Sequence, residues 1–135
     1  MVSEQKSWSS FSEKSIRNYS CTAVYTKNFK LDKIEKERSA WIRIDSIFNI
    51  ASIKINGIKC GTLWTKPYIV EVSKALRPGE NNIEIEVSNT WMNRLIGDQE
   101  LAVDKRVSWT TAPFRLKGKP LLPAGITGNI TLIIK

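Results

Sequence analysis

Residues 82–88 read NIEIEVS. Ile83, Ile85 and Val87 alternate with Glu84 and Glu86, an apolar–acidic pattern of period two. Successive side chains of an extended chain point to opposite faces, so the aliphatic residues share one face and the carboxylates the other. This is the signature of an antiparallel strand with one dry face and one wet face. Upstream, RPGENN (77–82) carries Pro78 and Gly79 and marks a turn. Downstream, NTWMNRLIGD (89–98) breaks the alternation.

The same period recurs on both sides of that run. AWIRID (40–45) sets Ala40, Ile42 and Ile44 against Trp41, Arg43 and Asp45, and NITLIIK (129–135) alternates Ile130, Leu132 and Ile134. CTAVYTKNF (21–29) places Cys21, Ala23, Tyr25 and Phe29 on related faces. Asn56-Gly57, between ASIKI and IKCGTLW, is a two-residue hairpin signal. Short strands recurring about every 8–12 residues point to an all-β sandwich or barrel. VSKAL (72–76) is expected to form one helical turn capped by Ser73, and the highly charged LDKIEKERSA (31–40) is read as a loop. Strand signals thin out from about residue 97 to 127, where Gly and Pro accumulate; such long irregular stretches are usually functional or wrap the core.

The length of 135 residues fits one domain, with the first 15 residues as a loose lead-in that Trp8 partly packs down. No apolar run reaches the roughly 20 residues of a membrane span, so no membrane partner is expected. The opening MVSEQKSWSS lacks the basic-then-apolar pattern of a signal peptide. A net charge of +8 raises the question of a polyanion partner. The lysines are scattered, however. The densest runs are KIEKER, broken by acids, and RLKGK (115–119), so nucleic acid is not expected and a basic adaptor for polyanions stays a third reading.

There is no His, which excludes Ser-His-Asp and Cys-His catalysis within this chain and removes the commonest metal ligand. The two cysteines, Cys21 and Cys60, are too few for a disulfide framework or a zinc site. Glycosidase chemistry needs two carboxyl groups facing each other across a cleft. Asp98 with Glu100 or Asp104 is the available pair, and nothing in the sequence builds a cleft around it. No calcium-loop spacing is present, and no metal site is assigned.

Two stretches hold candidate ligand-binding residues. In NTWMNRLIGD, Trp91 and Leu95 are four apart, as are Arg94 and Asp98, so one helical turn puts each pair on a common face. One reading is a plug: Trp91 and Leu95 cap the core while the Arg94 guanidinium forks onto Asp98. The other is a sugar site, with Trp91 as an apolar platform and Asn89, Asn93, Arg94 and Asp98 reading hydroxyls. GTLWTKPYIV (61–70) supplies Trp64 and Tyr68, amphipathic rings on a loop stiffened by Pro67 or packed on the sandwich edge. Trp8, Trp41 and Trp109 are read as core or edge residues.

Four segments, taken in order, carry a resemblance: YSCTAVYTKNF (19–29), IASIKINGIKCGTLWTKPYIVEVSKALRPGENNIEIEVSNTWMNRLIGD (50–98), RVSWTT (106–111) and PLLPAGITGNITL (120–132). Together they resemble the C-terminal β-sandwich domain of glycoside hydrolases related to family 106 α-L-rhamnosidases, itself similar to the sugar-binding domain of family 2 β-galactosidases. The resemblance implies an antiparallel jelly-roll sandwich of the galactose-binding-like kind. It implies a non-catalytic accessory module, a fragment of a larger periplasmic or secreted enzyme whose catalytic carboxylates lie in a separate barrel. A structural calcium is allowed at the family level, and no other cofactor. The implied partners are carbohydrate, through the rim aromatics, or the catalytic domain of the parent enzyme, in which case the module is purely structural. Cys21 departs from the pattern, standing where relatives usually carry Gly in a YSGTA run.

Overall fold

The computed structural model describes residues 2–35, 37–106 and 119–135. Its eight strands are β1 (Val2–Gln5), β2 (Thr22–Leu31), β3 (Ala40–Phe48), β4 (Ile50–Ile55), β5 (Ile58–Leu63), β6 (Ile69–Glu71), β7 (Gly79–Ser88) and β8 (Gly125–Ile134). They form two four-stranded sheets, ordered β1-β8-β3-β6 and β2-β7-β4-β5, and every pairing is antiparallel. This is the eight-stranded order of a jelly roll, in which consecutive strands, the β4–β5 hairpin apart, cross between the two sheets. Two short helices interrupt it: α1 (Lys14–Arg17) and α2 (Met92–Gln99).

The run that opened the sequence reading lies at the centre of its sheet. β7 pairs with β2 along ten consecutive residues and with β4 along six. Ile83, Ile85 and Val87 are buried, and they meet Ile42, Ile44, Ile47, Ile126 and Ile130 from the opposite sheet in one core. Ala51, Ile53 and Ile55 of β4 extend the same inner face. The core is built largely from β-branched side chains, which pack well on a pleated surface and lose little rotamer freedom there.

The hairpin signal is realised. Asn56 and Gly57 both have positive φ, 52° and 79°, as a two-residue turn with both central residues left-handed requires. VSKAL forms a turn, closed by Ala75 N–H donating to the Val72 carbonyl, and not a helix. The Ser73 hydroxyl accepts from the Ala40 amide across to β3 at 2.8 Å, so it ties two strands together instead of capping a helix. Residues 32–35 and 37–39 lie in the expected loop, whose end residues Leu31 and Ala40 belong to β2 and β3.

The lead-in is integrated into the sandwich through residues 2–8. β1 pairs with β8, and Trp8 is buried in the core. The Trp8 indole N–H donates to the Tyr25 hydroxyl, and the two rings stack with centroids 6.3 Å apart. Gly125 makes this possible: at φ +79° it has no Cβ, and one placed there would lie 2.5 Å from the Trp8 ring. Trp41 is half-buried on β3, and Trp109 lies outside the described residues.

The alternation has a direct energetic test. Ile85→Ala removes a fully buried side chain facing the opposite sheet and is expected to cost about 2–5 kcal/mol in urea unfolding. Glu86→Gln, one residue away on the solvent face, is expected to change stability by less than about 0.5 kcal/mol. Equal effects at the two positions would overturn the assigned inner and outer faces.

Candidate functional site

The antiparallel register gathers both candidate stretches at one end of the sandwich. Ser88, the last residue of β7, pairs with Thr22 on β2 and with Ile50 on β4, while Ala51 pairs with Leu63 on β5. Residues 89–98 therefore leave the sheet two strands from the point where Trp64 leaves it. Neighbouring strands lie about 4.8 Å apart, which separates the two exits by roughly 10 Å. Tyr68 lies elsewhere: it precedes β6 in the other sheet, packs against the core, and directs its hydroxyl to the Ile47 carbonyl at 3.4 Å.

The helical reading of NTWMNRLIGD holds, and it extends to the eight residues of α2. The inward face differs from that of the plug reading. Asn93, Ile96, Gly97 and Asp98 are buried, whereas Trp91 is 55% exposed and Leu95 only half-buried. The polar side chains set this rotation. Asn93 donates to the Leu122 carbonyl and accepts from the Leu122 amide, both at 2.7 Å, so its carboxamide pairs with the backbone of residues 120–124 as a strand would. Gly97 seats against Asn18, where a Cβ would come within 2.6 Å of the Asn18 amide. With those two residues turned inward, Trp91 is carried out to solvent.

Asn89 is committed in the same way. Its Oδ1 accepts from the Cys21 amide at 2.9 Å, its Nδ2 donates to the Tyr19 carbonyl at 3.1 Å, and its own N–H donates to the Cys21 carbonyl. The Arg94 amide donates to the buried Ser20 hydroxyl at 3.0 Å. Arg94 Nε stands 3.6 Å from Asp98 Oδ1, an ion pair looser than the forked hydrogen-bonded geometry expected. Of the seven candidates, Trp64 and Trp91 are exposed aromatics; the amides of Asn89 and Asn93 serve the fold, and Asp98 is buried.

Several further apolar residues are exposed at this end. Leu101, Val103 and Leu122 are exposed around α2 and its partner segment, and Ile50 is exposed at the start of β4. Apolar residues flanking Pro and Gly in PLLPAG were the visible hint for Leu122. Cys21 has φ +132°, a conformation that favours glycine, which accounts physically for the Gly of the YSGTA run.

Cys21 and Cys60 are both free, and they lie on β2 and β5, or just before them, at opposite edges of one sheet. Three strand spacings, roughly 14 Å, separate those edges, well beyond disulfide reach. Burial pushes the Cys60 thiol above its ordinary range. Glu100 and Asp104 are exposed while Asp98 is buried beside Arg94, so the three do not share one environment. Among the described residues no three His, Cys, Asp or Glu side chains come together, and the calcium that the resemblance allows finds no carboxylate-rich cradle there. Of the RLKGK run, only Lys119 lies within the described residues.

Two substitutions test the clasp. Asn93→Ala strands both backbone groups of Leu122 and is expected to cost about 1–3 kcal/mol. Cys21→Gly relieves the positive φ while keeping both backbone hydrogen bonds to Asn89, and is expected to add about 1 kcal/mol. Urea unfolding of the two variants measures both; destabilisation by Cys21→Gly would show that the thiol side chain, not the backbone, governs that position.

Comparison with known proteins agrees with this fold. Residues 7–118 match the family described as glycosyl hydrolase 2 galactose-binding domain-like. A rhamnosidase structure from Novosphingobium sp. PP1Y superposes with a TM-score of 0.88 at 34% identity, over 96% of this chain and 12% of that one. A putative beta-glucuronidase of Formosa agariphila is 38% identical over 103 residues, 75% of this chain and 9% of its own length. The Lactobacillus rhamnosus beta-glucuronidase structure matches 62% of this chain and 15% of its own at 26% identity, with a TM-score of 0.55. The chain thus spans about a tenth of the length of the two nearer of these relatives. Neither family 106 nor a C-terminal placement is part of the family match. An all-β sandwich with this strand order, matched over residues 7–118, belongs to the glycosyl hydrolase 2 galactose-binding domain-like family.

Proposed function

We propose that this chain is a non-catalytic accessory domain of a larger glycoside hydrolase, docked through its α2 end onto another part of that enzyme. One observation carries the reading: at this end two carboxamides turn inward while four large apolar side chains face solvent. Asn89 and Asn93 hold backbone groups of the domain itself, while Trp91, Leu101, Val103 and Leu122 face solvent. A sugar site at residues 89–98 needs free donors and acceptors beside its aromatic ring, because placed polar groups set a sugar's orientation. A surface rich in apolar side chains, with its amides already satisfied, fits burial against protein instead.

The finer kinship is also a proposal: the parent enzyme is related to family 106 α-L-rhamnosidases. The Novosphingobium rhamnosidase supports it, since that structure matches 96% of this chain, beyond the 75% matched by the Formosa glucuronidase. Such a parent is a periplasmic or secreted enzyme, and its catalytic carboxylates lie outside this domain.

Sedimentation velocity of the isolated chain tests the docking surface. The wild type is expected to self-associate reversibly as its concentration rises, through the uncovered α2 end. The combined substitution Trp91→Ser, Val103→Ser and Leu122→Ser is expected to keep it monomeric and folded. A wild type that stays monomeric and binds no hydrophobic dye, with the triple variant indistinguishable from it, would sink the docking reading.

A further inference from the structure

The sandwich has four edge strands, β1, β6, β2 and β5, of 4, 3, 10 and 6 residues. β2 is the longest of them. An antiparallel strand paired on one side points the backbone groups of alternate residues to the other side. Among the described residues, no backbone group of residues 23–31 bonds to anything but β7. A long unpaired edge is a template on which another extended chain can add a strand.

Lys27 interrupts the inner face of this edge. Ala23, Tyr25, Phe29 and Leu31 pack with the core, and Lys27 shares their register, opposite the buried Ile83. Its side chain is exposed and makes no ion pair among the described residues. Beside it, Gln5, Tyr25, Ile83, Ile85 and Ile130 line a crevice of about 160 Å³ between the two sheets. A cavity of about 150 Å³ admits a benzene ring, so this crevice has room for an apolar side chain brought in by an added strand.

The fit of a second copy of this chain follows from symmetry. Two adjacent antiparallel strands related by a two-fold axis keep their inner faces on one side, and opposed residues share a face, so opposed residue numbers must add to an even sum. The two longest such alignments pair residues 23–31, or residues 22–30, with the same run reversed. The first sets Ala23 against Leu31 and Tyr25 against Phe29, apolar pairs suited to a sandwich interior, and sets Lys27 against its own copy. The second sets Lys27 against Tyr25 and leaves the two lysines on the diagonal. Directly opposed Cβ atoms lie roughly 5 Å apart and diagonal neighbours roughly 7–8 Å, so both alignments bring two like charges together. An inward-pointing charge is a common guard on an open edge. A carboxylate in the same place removes the repulsion and pairs with the free ammonium. We propose that the free edge of β2 is a strand-addition site for an extended acidic segment, one that sets a carboxylate opposite Lys27, and that the same lysine closes the edge to a second copy. Neither α2 nor Trp91 takes part.

The test is sedimentation velocity of the 135-residue chain carrying Trp91→Ser, Val103→Ser and Leu122→Ser. With the α2 end disabled in every protein, the outcome does not depend on the docking reading. The Lys27→Glu variant of that chain supplies the acidic strand. Each of the two proteins alone is expected to be monomeric, because like charges meet in either homodimer. Their equimolar mixture is expected to contain a heterodimer at least about tenfold tighter than either homodimer, and about 0.5 M salt is expected to weaken it. Lys27→Val is expected to dimerise alone. Lys30→Val removes the same charge from the outer face of β2 and is expected to stay monomeric. Circular dichroism melting confirms that each variant is folded, and the mixture carries the test should Lys27→Val misfold. A mixture without heterodimer overturns the proposal, as does a folded Lys27→Val that stays monomeric. Dimerisation of Lys30→Val to the same extent as Lys27→Val also overturns it, since net charge and not the edge position would then be the cause.

Discussion

Asn81 is 1% exposed, and a buried carboxamide has to find protein partners for its hydrogen-bonding groups or pay the full cost of lost hydration. It finds all of them. Its Nδ2 donates to the Arg77 and Gly79 carbonyls at 2.7 and 3.0 Å, and its Oδ1 accepts from the Arg77 amide and from Asn56 Nδ2 at 3.0 and 2.9 Å. This one side chain closes the turn that launches β7 and ties it to the β4–β5 hairpin. Asn56 completes the knot by donating to the Ala75 carbonyl and accepting from the Asn82 amide. The register of β7 fixes which aliphatic residues meet the core, because a slip of one residue would exchange its two faces. The turn network therefore decides the faces of the strand on which both sheets depend.

The opposite end of the sandwich uses the same device. Asn89 holds the Tyr19–Cys21 backbone and Asn93 holds Leu122, each amide standing in for a missing strand partner. Loops that leave a sheet carry backbone groups with no ladder to join, and carboxamides supply both a donor and an acceptor at the spacing a peptide group would. The consequence reaches function. A row of Asn, Arg and Asp next to a tryptophan has the composition of a sugar site, yet here the carboxamides of Asn89 and Asn93 are consumed in closing the fold.

The sequence made the sheets legible and the ends much less so. Period-two runs around Ile42, Ile85 and Ile130 identify buried faces because burial and alternation are the same physical fact on a strand. The Asn56-Gly57 turn is legible because few residues accept its positive φ. The Arg94–Asp98 spacing gives the helical turn at α2 correctly. It does not give that helix's orientation, and Trp91, turned inward only in the plug reading, faces solvent because Asn93 and Gly97 have specific partners at Leu122 and Asn18. Those partners lie 29 and 79 residues away along the chain, beyond any local pattern. Ser73 fails as a helix cap for the same reason: its hydroxyl is taken by Ala40 on a different strand.

Trp64 and Trp91 show how far residue type alone falls short of assigning a role. Both follow the ends of strands two places apart, at the same end of one sheet, and both are more than half exposed. What separates them is the state of the polar groups alongside. Beside Trp91 the amides are saturated by the domain's own backbone, so a hydrated ligand placed there would lose its water contacts and gain few replacements. On β4 and β5, which lead to Trp64, the Ser52 and Thr62 hydroxyls pair with each other at 3.1 Å and keep one donor hydrogen between them. On the proposed docking Trp91 meets protein. The difference comes from hydrogen bonds spent or unspent within the domain, before any partner arrives.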